Sequence, residues 1–110
     1  MMLVYFLGNE KLVRDKIPEI IQSKGVQPKV RKAQKEELDA LLRDKIVEEA
    51  IELQQSSDPE EIVDILEAID ALIELRGLDM GLLELQQHAK RLARGGFTEG
   101  YVVDMDSFED

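Results

Sequence analysis

A short polar break between two helical stretches is the feature that most constrains this chain. Apolar side chains recur at the spacing of an α-helix over residues 34–55 and again over residues 59–76. The break reads SSDP, in which Ser57 or Asp58 can cap a helix and Pro59 suits its first turn. So short a connection makes consecutive helices antiparallel neighbours. The sequence therefore predicts a helical hairpin in the middle of the chain.

Glycine and proline mark further helices on either side of this hairpin. A short helix with Pro18 in its first turn ends at Gly25, and another helix covers roughly residues 80–94. Residues 3–7 and 101–103 are short apolar runs of strand type, and all the aromatic side chains lie in the two terminal segments. We expect an all-α fold: an antiparallel bundle of about four helices, with the strand-like N- and C-terminal segments packed together.

Length and composition fit one helical domain over residues 1–110. A chain of 110 residues is shorter than those that usually split into two cores, and 44% hydrophobic with 35% charged residues is typical of a folded soluble protein. No apolar run approaches the roughly 20 residues that span a bilayer. The apolar start lacks a basic leader and a small-residue cleavage site. We therefore expect a cytoplasmic protein with no membrane partner.

The charges and the reactive residue types exclude several classes of function. The chain carries 14 basic and 24 acidic side chains, and its net charge of −10 has the wrong sign for direct binding to nucleic acid. Because there is no cysteine, disulfides, thiolate catalysis and zinc fingers are excluded. The single histidine, His88, leaves little room for a histidine-based site. A polyanionic partner would need a cation between itself and the protein.

The third helix is apolar on two sides, and helices of that kind are usually buried on two sides. We therefore expect a homodimer or homotetramer formed through helix packing. The apolar residues are Ile62, Ile65, Leu66, Ile69, Leu72 and Ile73 on one side, and Ala68, Ala71 and Leu75 on the other.

Carboxylates fall on one row of each helix of the predicted hairpin. At about 100° per residue, Glu49 and Glu52 share one row of the second helix, and Glu61 and Asp64 share one row of the third. Like charges held together repel unless a proton or a hard cation lies between them. Oxygen-rich, nitrogen-free clusters suit Mg²⁺ or Mn²⁺, and magnesium typically serves phosphate substrates. The spacing is consistent with a metal site.

The same acidic residues have simpler explanations. The glutamates of the second helix form one polar arc, which any amphipathic surface helix would show. Glu61 fits a capping box with Asp58. A second pair with the same spacing, Glu67 and Asp70, falls on a sector that otherwise looks solvated. Spacing alone leaves a solvated acidic surface as the alternative.

Four blocks stand out in order along the chain: KLVRDKIPEII (11–21), KIVEEAIEL (45–53), EEIVDILEAIDAL (60–72) and RGGF (94–97). Together they resemble the all-α nucleoside triphosphate pyrophosphohydrolases, and most of all their MazG-like, phosphoribosyl-ATP pyrophosphohydrolase-like branch. The resemblance implies a helical dimer or tetramer. It also implies Mg²⁺-dependent cleavage of a nucleotide between the α and β phosphates, which yields a monophosphate and pyrophosphate.

The resemblance also implies metal ligands and a base. Its EExxE…ExxD signature puts the ligands at Glu49, Glu52, Glu61 and Asp64, with Glu48 completing the motif. A water activated by the metal, or by Glu48 or Glu52, would attack the α-phosphorus. One departure is the hinge, since only eight residues separate Glu52 from Glu61, fewer than in many members.

Basic residues in three of the blocks are candidates for contact with substrate phosphate: Lys45, Lys11, Arg14, Lys16 and Arg94. Lys11, Arg14, Lys16 and Arg94 also have a structural explanation as surface charges near a helix end.

Two other functions stay open. One is hydrolysis of phosphoribosyl-ATP in histidine biosynthesis, and the other is a non-catalytic acidic helical module for oligomerisation or interaction.

Overall fold

Four α-helices make up the regular structure of the chain. The computed structural model describes residues 10–108, and within that range it contains no strand. The all-α prediction is confirmed for these residues, and each predicted helix end lies within about one residue of the observed one. The helices are α1 (Ile17–Ser23), α2 (Lys35–Ser56), α3 (Pro59–Leu75) and α4 (Met80–Arg94).

The chain divides into two compact units. The first contains α1, α2 and α3 and ends at Leu78, and the second begins at Asp79 and contains α4. Of the two strand-like runs, residues 3–7 lie outside the described residues, and residues 101–103 have no regular secondary structure. The packing of the two termini and the single-domain organisation therefore stay predictions. No helix among residues 10–108 combines the length and apolar character needed to cross a bilayer.

The polar break folds as a tight connection between α2 and α3. Ser57 adopts a left-handed conformation with φ of 60°, and its N–H donates to the Leu53 carbonyl at 2.9 Å, which ends α2. Asp58 Oδ1 accepts the N–H of Glu60 at 2.9 Å and caps α3. Pro59 occupies the first position of α3, where its missing N–H is not needed. The chain therefore reverses within two residues, and α3 returns along α2.

Two buried apolar side chains and an ion pair stabilise the packing of these two helices. Leu42 of α2 and Ala68 of α3 are the buried apolar side chains among the described residues, each 6% exposed. At the end of the hairpin away from the connection, the Arg76 guanidinium forms two hydrogen bonds with the Asp39 carboxylate, of 2.7 and 3.0 Å. This pairing of the start of α2 with the end of α3 makes the two helices antiparallel. A wider antiparallel bundle stays a prediction.

Candidate metal centre

Three carboxylates meet where α2 and α3 lie side by side near their connection. Glu49 lies about two turns before the end of α2, and Glu61 and Asp64 lie in the first two turns of α3. One oxygen of each of Glu49, Glu61 and Asp64 lies within 4.8 Å of the other two. The antiparallel hairpin thus brings together residues that the helical period had placed on one row of each helix. We refer to Glu49, Glu61 and Asp64 as the carboxylate triad.

Two oxygens of the triad are buried without a partner. Glu49 is only 5% exposed, and the atoms Glu49 Oε2 and Glu61 Oε2 have no hydrogen-bond partner among residues 10–108. Burial of an unpaired carboxylate oxygen is costly unless a proton or a cation compensates it. An all-oxygen set of three carboxylates is the donor chemistry that Mg²⁺ and Mn²⁺ prefer. The triad therefore fits a divalent cation.

The triad also perturbs the protonation of one of its members. The neighbouring Glu49 carboxyl group raises the pKa of Glu61 from its ordinary 4.5 to about 7, and burial adds to this rise. Contact with Glu52 raises the pKa of Glu61 further. Without a cation, Glu61 therefore retains a proton at pH values below about 7. A cation bound to the triad would replace that proton.

Glu48 lies beside the triad but has a different environment. Its two oxygens are held by two ammonium groups, Lys11 Nζ at 2.5 Å from Oε1 and Lys45 Nζ at 3.2 Å from Oε2. Burial alone would raise the pKa of Glu48, but the hydrogen bonds and charges of Lys11 and Lys45 outweigh it, so the pKa lies below its ordinary value. Glu48 is therefore an ionised anchor for the two lysines.

Basic side chains border the triad. Arg14 Nη2 donates to Asp64 Oδ1 at 2.7 Å, and Lys45 Nζ lies 3.5 Å from Glu49 Oε1. Lys11 and Arg14 both come from the irregular segment before α1. The hydrogen bond to Glu48 raises the pKa of Lys11, so its ammonium group stays charged. The result is an acidic centre bordered by three cationic groups.

The structure distinguishes between the alternatives for the acidic residues of α3. The Asp58 N–H donates to Ser56 Oγ at 3.2 Å, whereas the Glu61 side chain contacts Glu49, so Glu61 does not complete a capping box with Asp58. Glu67 and Asp70 are exposed. The hairpin brings the first ExxD pair to Glu49, and the second faces solvent.

The remaining predicted site residues lie outside the triad. Glu52 is exposed and close to Glu61. Lys16 precedes α1, is exposed, and forms no ion pair within the described part of the chain. Arg94 is the exposed last residue of α4, in the second compact unit.

The sequence did not predict that Lys11 and Arg14 would pair with carboxylates. Both residues were expected to contact substrate phosphate, whereas here they bind Glu48 and Asp64. One signal was present in the sequence, because adjacent glutamates on a partly buried face, such as Glu48 and Glu49, require counter-ions from elsewhere in the chain.

Comparison with known proteins finds no matching family model, no similar curated protein and no similar solved structure. The fold and the site define an all-α protein with a carboxylate triad at a helical hairpin. The chemistry of that triad and of the cations around it is therefore the basis for assigning a function.

Proposed function

We propose that this protein is a Mg²⁺-dependent nucleotide pyrophosphohydrolase. It would cleave a nucleoside triphosphate between the α and β phosphates and release a monophosphate and pyrophosphate. The observation that carries the proposal is the buried, unpartnered Glu49 Oε2 inside a triad of carboxylate oxygens. The resemblance of four sequence blocks to the all-α, MazG-like pyrophosphohydrolases supports the same reaction.

The triad would hold the cation. Glu49, Glu61 and Asp64 supply three oxygens, and Mn²⁺ could replace Mg²⁺ because both accept all-oxygen ligand sets. When bound, Mg²⁺ neutralises phosphate charge and lowers the pKa of a coordinated water. Glu49 is buried on α2, and its position places this proposed cation site at the hairpin.

Glu52 is the better placed of the two candidate bases. Both oxygens of Glu48 pair with lysine ammonium groups, which lower the pKa of Glu48 and make it a weaker acceptor of a proton from water. Glu52 is exposed to solvent and adjacent to Glu61 of the triad. In the proposed reaction, Glu52 accepts a proton from the water whose oxygen bonds to the α-phosphorus. The bond from that phosphorus to the bridging oxygen breaks, and pyrophosphate leaves.

Lys11, Arg14 and Lys45 would bind the phosphate chain. A triphosphate approaching a protein of net charge −10 requires local positive charge. Arg14 and Lys45 contact members of the triad, and Lys11 is paired with the neighbouring Glu48. Lys16 and Arg94 remain candidates for further phosphate contacts.

We also propose that the protein is a homodimer or homotetramer. Among the described residues of α3, Ile62, Leu66 and Ile69 remain exposed, although the sequence places them on an apolar side. A second copy would bury that side and complete a helical bundle. The same exposed side is the observation that favours the second candidate function, a non-catalytic helical interaction module.

The first test is pyrophosphate release from a panel of ribo- and deoxyribonucleoside triphosphates and phosphoribosyl-ATP, with Mg²⁺ and with a chelator. We expect metal-dependent release of pyrophosphate together with the monophosphate. Glu49→Gln and Asp64→Asn should each lower kcat by at least about 100-fold, because each removes a ligand charge from the triad.

Glu67→Gln and Asp70→Asn are matched controls, since they make the same chemical changes on the exposed part of α3. Both should keep activity close to that of the wild type. Release of orthophosphate and a diphosphate would contradict the bond assignment. Folded protein that lacks activity on the whole panel and gains no thermal stability with millimolar Mg²⁺ would favour the interaction module.

A further inference from the structure

Arg14 pairs with a carboxylate that is also a candidate metal ligand. Its guanidinium donates to Asp64 Oδ1 at 2.7 Å, and Asp64 is a member of the carboxylate triad. The side chains of Arg14 and Asp64 are 53% and 33% exposed, so the ion pair is open to solvent. Such exposed pairs contribute little net free energy and exchange readily.

A guanidinium and a divalent cation on the same carboxylate repel each other. At separations of a few ångströms this repulsion is reduced by water but not abolished. Arg14 therefore competes with a cation for Asp64. Lys11 differs, because its partner Glu48 is buried and lies outside the triad.

We propose that Arg14 is an exchangeable counter-ion that couples metal binding to substrate binding, an inference that rests on the proposed function. Arg14 pairs with Asp64 when the triad holds no divalent cation. When Asp64 becomes a ligand, the guanidinium leaves Oδ1 and binds the substrate phosphate chain, for which its planar fork of donors is well suited. Substrate that binds Arg14 removes it from Asp64 and therefore raises the affinity of the protein for the cation. By the same coupling, a bound cation raises the affinity for substrate.

A single variant, Arg14→Gln, should change the affinity for Mg²⁺ and the affinity for a triphosphate analogue in opposite directions. Arg14→Gln removes the competitor for Asp64, so the free protein should bind Mg²⁺ more tightly, by up to about fivefold. The same variant lacks the phosphate ligand. With Mg²⁺ saturating, it should therefore bind a non-hydrolysable α,β-methylene triphosphate about tenfold more weakly than the wild type.

Isothermal titration calorimetry on the full chain measures both affinities. Lys24→Gln is the matched control, because Lys24 is exposed just after α1, forms no ion pair within the described residues and is not a candidate for phosphate contact. It should change neither affinity by more than about twofold. Arg14→Lys keeps the charge, so it should bind Mg²⁺ like the wild type but lose part of the affinity for the analogue, since an ammonium cannot form the paired hydrogen bonds.

Unchanged or weaker Mg²⁺ binding by Arg14→Gln, with normal binding by the wild type, would overturn the exchange. Wild-type protein that does not bind Mg²⁺ at all would overturn the proposed function, and the exchange with it. Circular dichroism of each variant checks that helix content is preserved. The conservative Arg14→Lys variant keeps the test decisive if the glutamine variant loses helix content, because loss of Mg²⁺ affinity in Arg14→Lys would also contradict the proposal.

Discussion

Neighbouring glutamates of one hairpin have opposite protonation behaviour. The contact with Glu49 raises the pKa of Glu61 to about 7, whereas burial and the lysines together leave the pKa of Glu48 below its ordinary value. The difference arises from the partners, since Glu61 faces carboxylates and Glu48 faces ammonium groups. Glu61 is the group whose ionisation at neutral pH opposes the fold.

The pH dependence of stability follows from Glu61. Between its ordinary pKa of 4.5 and its folded pKa of about 7, the folded state retains a proton that the unfolded state has lost. The contribution of Glu61 is therefore fully present below pH 4.5 and is lost as pH rises through about 7. Thermal denaturation without divalent cations should show the melting temperature falling over this window. Glu61→Gln should reduce the fall.

Millimolar Mg²⁺ should reverse that trend, because metal binding requires the ionised carboxylates and strengthens as pH rises. Glu67→Gln, an exposed change on the same helix, should behave like the wild type with and without the cation. A Glu61→Gln variant with an unaltered pH profile would contradict the assignment.

The two candidate bases can be separated by substitution. Glu48→Gln should lower the free energy of unfolding by about 1–3 kcal/mol, because two ammonium groups lose their ionised partner. Glu52→Gln should keep the stability and Mg²⁺ affinity near the wild-type values but lower kcat by about 100-fold. Chemical denaturation and steady-state kinetics measure the two effects. Normal turnover in Glu52→Gln would exclude Glu52 as the base.

At the level of the elements, the connection between α2 and α3 contains a strained residue. Ser57 has φ of 60°, a left-handed conformation that disfavours side chains with a Cβ. Ser57→Gly should therefore raise the free energy of unfolding by about 0.5 kcal/mol, the relief of strain exceeding the added freedom of the unfolded chain.

Ser56→Gly is the contrasting change. Ser56 ends α2 in helical conformation, and its Oγ accepts the Asp58 N–H, so the glycine should lower the free energy of unfolding by about 1 kcal/mol. Urea denaturation of both variants measures the pair. If both glycine variants changed the free energy of unfolding equally and in the same direction, backbone conformation would not control the stability of this connection.

The helices and the rows of carboxylates were predictable because each has a local signal. Proline, glycine and capping residues mark the helix ends, and the helical period alone places Glu61 and Asp64 on one row. The ion pairs of Lys11 and Arg14 were not predictable in the same way. They arise from an irregular segment, which has no period to fix the direction of a side chain, and they join residues far apart in sequence.

At the scale of the whole molecule, the small buried core leaves apolar surface on α3. If a second copy covers that surface, Leu66→Asp should convert the assembly to a monomer, because Leu66 is 56% exposed in a single chain. Sedimentation velocity should show the mass fall to that of a monomer. Glu67→Gln, on the adjacent exposed position, should leave the mass unchanged. A wild-type monomer at micromolar concentration would contradict the proposed oligomer.

The two-residue connection between α2 and α3 also fixes how α3 is rotated about its own axis relative to α2. A longer connection would no longer fix that rotation, so α3 could turn about its axis and carry Glu61 and Asp64 away from Glu49. An insertion that left both helices intact could therefore still disperse the triad. Evolution of this hairpin would therefore conserve the length of its shortest segment more strictly than the identity of many residues along its helices.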